Sequence, residues 1–143
     1  SVGFGDEEKS LTRLSNELLL HDDVVFLKDI NEKLKTALIA ESNLFLMPSR
    51  IENKSVEGFG ISFVEAASYG VASIGGKDGG ASDAINHGKT GIICDGNNLD
   101  SIYDSIINFF KDDKFILYGK EAKIFSENFY WEKIVKKYLK LIN

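Results

Sequence analysis

The chain has 143 residues, with 17 Lys and Arg against 22 Asp and Glu, a formal net charge of −5, and 43% hydrophobic residues. This is the composition of a globular protein with a sizeable core, and it argues against disorder. The acidic balance argues against general nucleic-acid binding, which needs a basic face, and weakly against broad attraction to an anionic membrane.

Short apolar runs alternate with helical patterns along the chain. Leucines at helical spacing predict a helix within residues 6–20, and Asn31 is placed to cap the next helix. Strands separated by helices indicate βαβ units, so we expect an α/β fold with a Rossmann-like, doubly wound parallel sheet, which binds ligands beyond the carboxyl ends of its strands. Strands are predicted at 24–27, 44–47, 71–74 and 91–94, and further helices at 61–69, 82–86, 98–110, about 115–125 and 131–142.

The first residues, Ser1-Val2-Gly3-Phe4-Gly5, are strand-like and run directly into a glycine turn. A domain rarely starts at the apolar end of a strand. We therefore expect residues 1–143 to form one domain of a longer protein, truncated at its N-terminus.

Candidate metal ligands are few. Cys94, the single cysteine, lies in an apolar run, which favours a buried thiol and excludes an internal disulfide or a cysteine zinc cage. His21 and His87 are far apart and lack ligand spacing, so we expect no metal site. A single thiol suits a reducing compartment, and no apolar run approaches the length of a membrane span. These features favour a cytoplasmic location.

The segment 57–65, Glu-Gly-Phe-Gly-Ile-Ser-Phe-Val-Glu, carries the most informative pattern. Gly58 and Gly60 leave the backbone bare just before a predicted helix. The N–H groups of Gly60, Ile61 and Ser62 then face outward at a helix N-terminus, where the helix dipole adds partial positive charge. This geometry binds anions without a lysine.

Two carboxylates flank this helix start, Glu57 in the loop before it and Glu65 about one turn inside. Carboxylates do not bind phosphate, but they accept hydrogen bonds from hydroxyls, which sugars supply in quantity. Spacing alone leaves a plainer interpretation open, in which Glu65 only favours the helix dipole. The apolar neighbours of Glu65 favour a functional role, because an unpaired buried carboxylate is costly.

The separation of Glu57 and Glu65 by seven residues, within Glu-Gly-Phe-Gly-Ile and Glu-Ala, resembles the E-x7-E motif of retaining glycosyltransferases of family 4. Those enzymes have the GT-B fold, in which two Rossmann-like domains face each other across a cleft. The resemblance covers nearly the whole chain and implies one half of that fold, the C-terminal, nucleotide-sugar-binding domain. The other matching elements lie at 2–5, 25–28, 44–49, 79–91 and 129–132.

The resemblance implies a nucleoside diphosphate sugar as donor and gives roles to individual residues. Glu65 would accept hydrogen bonds from the ribose hydroxyls, and Glu57, as the catalytic residue, would hold hydroxyls of the donor sugar. The other substrate-binding residues, which would act mainly through their backbone, are Gly5, Leu27, Lys28, Gly58, Phe59, Gly60 and Ile61.

The resemblance further implies transfer with retention to a glycan or lipid-linked acceptor, in polysaccharide biosynthesis, with no metal and no cofactor besides the donor. The acceptor would bind an N-terminal domain outside residues 1–143, so the chain alone is expected to be inactive. Two positions depart from the family pattern, because Lys28 replaces a usual glycine and Asp83 stands where Glu is common. The family also places an Arg and a Lys on the diphosphate, from a segment upstream of the strand that opens this chain.

The last predicted helix has a basic flank. Its lysines could contact anionic lipid at the inner face of the membrane if the acceptor is lipid-linked, although a solvated face is the plainer alternative. These lysines are Lys133, Lys136, Lys137 and Lys140.

Two other function classes remain open. One is a non-catalytic Rossmann-like scaffold or nucleotide-binding module, against which the two glutamates of the motif and their glycines argue. The other is a dinucleotide-dependent oxidoreductase, whose fingerprint needs a third glycine where Glu8 stands. Binding of a nucleotide sugar would distinguish these classes from a glycosyltransferase.

Overall fold

The computed structural model describes residues 1–3, 5–51 and 58–142 of the chain. The chain divides into two compact units, Ser1–Leu38 and Ile39–Asn143. The second unit is the larger one and contains the parallel sheet.

Helix α1 (Glu8–Glu17) dominates the first unit. It is shorter than the helix predicted within residues 6–20, because Leu19 adopts a left-handed φ of 57° and leaves the helical path. Helix α2 (Glu32–Ala40) starts in this unit. Leu34 donates its backbone N–H to Asn31 Oδ1 at 2.9 Å, which confirms the predicted cap.

The strand predicted at 24–27 is wrong in its extent. Of these residues, Leu27 alone pairs, in an isolated parallel bridge with Val2. Gly3 donates its N–H to the Leu27 carbonyl at 3.0 Å, and Leu27 donates its N–H to the Ser1 carbonyl at 2.8 Å. The apolar run has high β-propensity, but a strand also needs a partner of matching length, and among the described residues only 1–3 pair with this run.

Among the described residues, the second unit contains a three-stranded parallel sheet with the order β1-β2-β3. Strand β1 is Phe45–Met47, β2 is Ser73–Gly76 and β3 is Gly91–Cys94. The α/β class and the parallel sheet predicted from the sequence are confirmed. Strand β2 starts two residues later than predicted, because the Val71 N–H still donates to the Ala66 carbonyl at the end of the preceding helix.

Each helix described in this unit lies where the sequence predicts one, within a few residues. Asn98 caps the helix predicted at 98–110, because its Oδ1 accepts the Ser101 N–H at 3.1 Å. The helices are α3 (Ile61–Ser68), α4 (Ala81–Ala84), α5 (Leu99–Phe110), α6 (Lys114–Ser126) and α7 (Trp131–Ile142), with short 3-10 turns at Lys111–Asp113 and Glu127–Phe129.

Two hydrophobic clusters pack against the sheet. Ile92 and Cys94 belong to one cluster, whereas Ile93 packs against the other, which includes Phe63. Because successive side chains of a strand point to opposite faces, the clusters cover both faces of the sheet, as in a doubly wound fold. Cys94 is 4% exposed, so the predicted buried thiol is confirmed, and burial raises its pKa.

Candidate functional site

The loops that follow β1, β2 and β3 begin at one edge of the sheet, because parallel strands end there together. Strand β1 leads into Pro48 and Ser49. The β2 loop (77–80) joins β2 to α4, and the β3 loop (95–98) joins β3 to α5. This carboxyl edge is where open α/β sheets bind ligands.

Glycines let these loops contact one another backbone to backbone. A Cβ on Gly76 would lie 2.7 Å from the Ser49 nitrogen, and one on Gly96 would lie 2.5 Å from the Pro48 oxygen. Real Cβ atoms do not approach backbone that closely, so any larger residue would push the loop after β1 away. The sequence patterns predict no role for these two glycines, although Gly-Gly and Asp-Gly turn signals mark both positions.

The β2 loop supports the segment that leads into α3. A Cβ on Gly80 would lie 2.7 Å from both the Gly58 carbonyl carbon and the Phe59 Cα, and closer still to the Gly58 oxygen. Gly80 is buried. The backbone of Gly80 therefore fixes where Gly58 and Phe59 lie.

Helix α3 begins at Ile61, directly after a residue in the left-handed region. Gly60 has φ 76° and ψ 47°, a conformation that glycine adopts without strain. Its carbonyl accepts the Phe63 N–H at 3.0 Å, which closes the first turn. The predicted helix start is confirmed. In an α-helix the N–H groups of the first turn have no acceptor within the helix. Anion binding at this point stays a prediction.

The side chain of Phe59 packs on an aromatic neighbour. Its ring centroid lies 5.4 Å from that of Phe129, which in turn lies 5.4 Å from that of Phe125. The Phe59 ring is thereby engaged within the second unit. This arrangement suits the predicted role of Phe59, which uses its backbone.

Glu65 lies in the fifth position of α3, about one turn from its start. Phe63 and Ala66 beside it are buried, whereas Glu65 itself is half-buried, so the carboxylate is less enclosed than its apolar neighbours suggest. Its carbonyl accepts the Ser68 hydroxyl at 2.7 Å within the helix. The other glutamate of the motif, Glu57, lies with 52–56 outside the described residues, and its predicted role is untested.

The remaining predicted site residues belong to the first unit. Gly5 lines a cavity of about 250 Å³ together with Gly3, Glu8 and Phe26 among others. Lys28 Nζ lies 2.6 Å from Glu8 Oε1, so its ammonium forms an ion pair within this unit. This pairing suits the predicted role of Leu27 and Lys28, which uses backbone atoms near the base.

Polar contacts join the β2 loop to the β3 loop, and the sequence patterns do not predict them. Lys77 Nζ lies 2.7 Å from Asp95 Oδ2, and the Asn97 side chain donates to Asp78 Oδ2 at 3.2 Å. The hydrogen bond and charge of Lys77 lower the pKa of Asp95, and Asp95 in turn raises the pKa of Lys77. Each pair is separated by more than a dozen residues, which local sequence patterns do not reveal.

Residues 1–3, 5–51 and 58–142 contain no group of three or more His, Cys, Asp and Glu side chains placed to hold a metal ion. Within the same residues, no helix has both the length and the apolarity to cross a bilayer.

The family model of glycosyl transferases group 1 matches residues 2–130. The chain belongs to this family. The GDP-mannose-dependent α-(1-6)-phosphatidylinositol monomannoside mannosyltransferase of Mycobacterium tuberculosis H37Rv is 32% identical to this chain over 125 residues, 85% of the chain and 32% of that protein. The N-acetyl-α-D-glucosaminyl L-malate synthase of Bacillus anthracis is 33% identical over 139 residues, 96% of the chain and 35% of that protein. The chain thus spans about a third of the length of these relatives.

Solved structures agree on the fold of this chain. The sucrose-phosphate synthase of Thermosynechococcus elongatus superposes with a TM-score of 0.80 at 23% identity, covering 99% of this chain and 36% of that one. The Anabaena protein HepE, in complex with UDP and glucose, superposes with a TM-score of 0.72 at 23% identity, covering 86% and 32%. At these identities the likeness shows the fold alone, and it confirms the predicted Rossmann-like half of a GT-B fold.

Proposed function

We propose that this chain is the C-terminal, donor-binding domain of a retaining family 4 glycosyltransferase that uses a nucleoside diphosphate sugar. The observation that carries the proposal is the start of α3, where left-handed Gly60 opens the helix and Glu65 follows one turn later, in a chain of the group 1 family. The names of the relatives support it, since one is GDP-mannose-dependent. HepE, crystallised with UDP-glucose, supports a nucleotide-sugar donor as well.

The diphosphate binds at the start of α3. The first-turn N–H groups point out of the helix, and the helix dipole adds positive charge there, so the site stabilises an anion without a lysine of its own. This stabilisation is greatest when the diphosphate leaves and its negative charge grows. Gly58, Phe59, Gly60 and Ile61 contribute their backbone to this site.

The two glutamates bind different hydroxyl groups of the donor. Glu65, half-buried on α3, accepts hydrogen bonds from the two ribose hydroxyls. Glu57, which precedes the helix in sequence, holds hydroxyls of the donor sugar and so aligns its anomeric carbon. In the first unit, Gly5 and the backbone of Leu27 and Lys28 approach the nucleotide base.

In the proposed reaction, an acceptor hydroxyl attacks the anomeric carbon from the face that the diphosphate leaves. The bond between that carbon and the diphosphate oxygen breaks, a new carbon–oxygen bond to the acceptor forms, and the acceptor proton passes to the leaving phosphate. Configuration is retained because attack and departure share one face. The proposed site residues bind and align the donor, and neither a metal nor a cofactor enters this scheme.

The acceptor is a glycan or a lipid-linked sugar, as in polysaccharide biosynthesis, and it binds outside this chain. The name of the mycobacterial relative, a phosphatidylinositol monomannoside mannosyltransferase, gives a precedent for a lipid acceptor. Contact with the inner face of the membrane stays a prediction, and α7 is the element that would make it. Trp131, Tyr138 and Leu141 on one side of α7 are 74%, 64% and 82% exposed, and the lysines lie on the other side.

A screen of nucleotide sugars against the full-length protein, read by the release of nucleoside diphosphate, tests this function. We expect one sugar nucleotide to be consumed in the presence of an acceptor. If no nucleotide sugar binds or turns over, the alternative of a non-catalytic Rossmann-like scaffold is favoured.

A further inference from the structure

Two polar contacts join the β2 loop to the β3 loop, and the proposed donor chemistry uses neither. Lys77 Nζ lies 2.7 Å from Asp95 Oδ2, and Asn97 Nδ2 donates to Asp78 Oδ2 at 3.2 Å. Consecutive residues of one loop are thus bound to nearby residues of the other. This pair of contacts is called the loop tie below.

The β3 side of the loop tie is anchored to the body of the second unit. Asp95 Oδ1 accepts the Asn97 N–H at 3.0 Å, while its Oδ2 faces Lys77. The Asp95 N–H donates to the Ser101 hydroxyl at 3.1 Å, which connects the residue to the first turn of α5. Both carboxylate oxygens and the backbone of Asp95 are therefore held.

The backbone of the β2 loop is restricted on its side of the loop tie. The Lys77 N–H donates to the Cys94 carbonyl at 2.8 Å and extends the pairing of β2 with β3 by one residue. With Lys77 and Asp78 held, only Gly79 and Gly80 remain before α4 begins at Ala81. The position of Gly80 is then set by the loop tie and by the start of α4.

Gly80 connects the loop tie to the donor site through backbone contacts. Its backbone packs so closely on Gly58 and Phe59 that no Cβ fits between them. These two residues lead directly into Gly60 and the first turn of α3. A displacement of the β2 loop therefore removes the support beneath the helix start that binds the diphosphate.

We propose that Lys77 and Asp95 are positioning residues for donor binding, which hold Gly80 against 58–59 and so align the amides at the start of α3. The inference rests on the proposed function. The side chains of Lys77 and Asp95 are 54% and 33% exposed, so the ion pair itself adds little to global stability. Its effect falls on the glycine-containing β2 loop, whose conformation it restricts.

The test compares Lys77→Met with Lys89→Met in the full-length protein, using the nucleotide sugar identified by the screen. Lys89 forms an ion pair with Glu121 at 3.6 Å, and the two side chains are 64% and 34% exposed. The control pair is therefore about as exposed as the Lys77–Asp95 pair. Lys89 precedes β3 and thus lies at the opposite edge of the sheet. We expect Lys77→Met to raise the donor KM by about 3- to 10-fold. Lys89→Met should leave the donor KM unchanged, and its melting temperature should be similar to that of Lys77→Met.

Two further variants separate positioning from direct contact. Lys77→Arg keeps a charged donor for Asp95 and should restore the wild-type KM. Asp95→Asn releases Lys77 from its carboxylate. If Lys77 bound the donor itself, this release would keep or lower the donor KM, whereas the loop tie predicts a rise.

Three results would overturn the inference. One is a donor KM for Lys77→Met equal to that of Lys89→Met, and another is an unchanged or lower KM for Asp95→Asn. The third is a melting temperature for Lys77→Met far below that of the control, with no rescue by arginine. Wild-type protein that binds no nucleotide sugar would refute the proposed function, whereas normal wild-type binding with an unaffected Lys77→Met refutes this inference alone.

Discussion

Gly80→Ala should damage the donor site through backbone displacement alone. Gly80 has φ −81° and ψ 5°, which alanine tolerates, so the substitution adds no backbone strain of its own. The new Cβ would lie 2.7 Å from Phe59 Cα and closer still to the Gly58 oxygen, whereas ordinary contact begins at 3.4 Å. The two backbones must therefore separate by more than about 0.7 Å, the difference between the two distances quoted.

The expected cost has two parts. Overpacking of this kind destabilises a protein by about 1–3 kcal/mol, which thermal or denaturant unfolding measures. Because misplacement of reacting groups by about 1 Å costs about 100-fold in rate, a shift of 58–59 should lower kcat/KM for the donor by at least about 10-fold.

Gly88→Ala is the matched control. Gly88 has φ +75°, so alanine costs about 1–2 kcal/mol there, but open space surrounds the position and it precedes β3 at the opposite edge of the sheet. The two variants should lose similar stability, while only Gly80→Ala loses donor kcat/KM. Equal kcat/KM values for the folded fractions of both variants would refute the role of Gly80 as the support of the helix start.

Glu65→Gln should weaken nucleoside diphosphate binding by roughly 1–3 kcal/mol in calorimetry without lowering the melting temperature, since an amide accepts less strongly from ribose hydroxyls; unchanged affinity would make Glu65 an ordinary helix residue. Glu57→Ala should abolish most turnover while the melt and the binding of bare nucleoside diphosphate stay normal; a large fall in melting temperature with normal specific activity would contradict that role. For each of UDP, GDP and ADP, the binding affinity should be the same with EDTA as without it, and a strict magnesium requirement would contradict the metal-free scheme. Vesicles with anionic lipid should sediment more protein than neutral vesicles, and Leu141→Asn should reduce the difference. Equal sedimentation with both kinds of vesicle would refute the predicted membrane contact.

Local patterns predicted the parts of the fold that depend on neighbours in sequence. The strand at 91–94 and the helix at 131–142 have the predicted bounds, because an apolar run between turn residues and a long amphipathic stripe are both local signals. The run at 24–27 carries the same local signal as a strand, yet a single bridge forms, because pairing depends on a distant partner. Strand β2 is displaced because Val71 is used to close α3, a competition that propensity does not describe.

The same division applies to the candidate site. The start of α3 could be predicted because its glycines, its apolar helix and Glu65 are contiguous. The Lys77–Asp95 ion pair could not, because it joins residues 18 positions apart that meet only once β2 and β3 pair. The Lys28–Glu8 pair in the first unit is a similar case, since nothing local to Lys28 points to α1.

A crystal structure of the protein with a bound nucleoside diphosphate sugar tests the central claim most directly. We predict that the diphosphate lies against the first-turn amides of α3 and that a ribose hydroxyl lies within hydrogen-bond distance, about 2.7–3.2 Å, of the Glu65 carboxylate. A nucleotide bound away from the start of α3, or with its ribose turned from Glu65, would contradict the account.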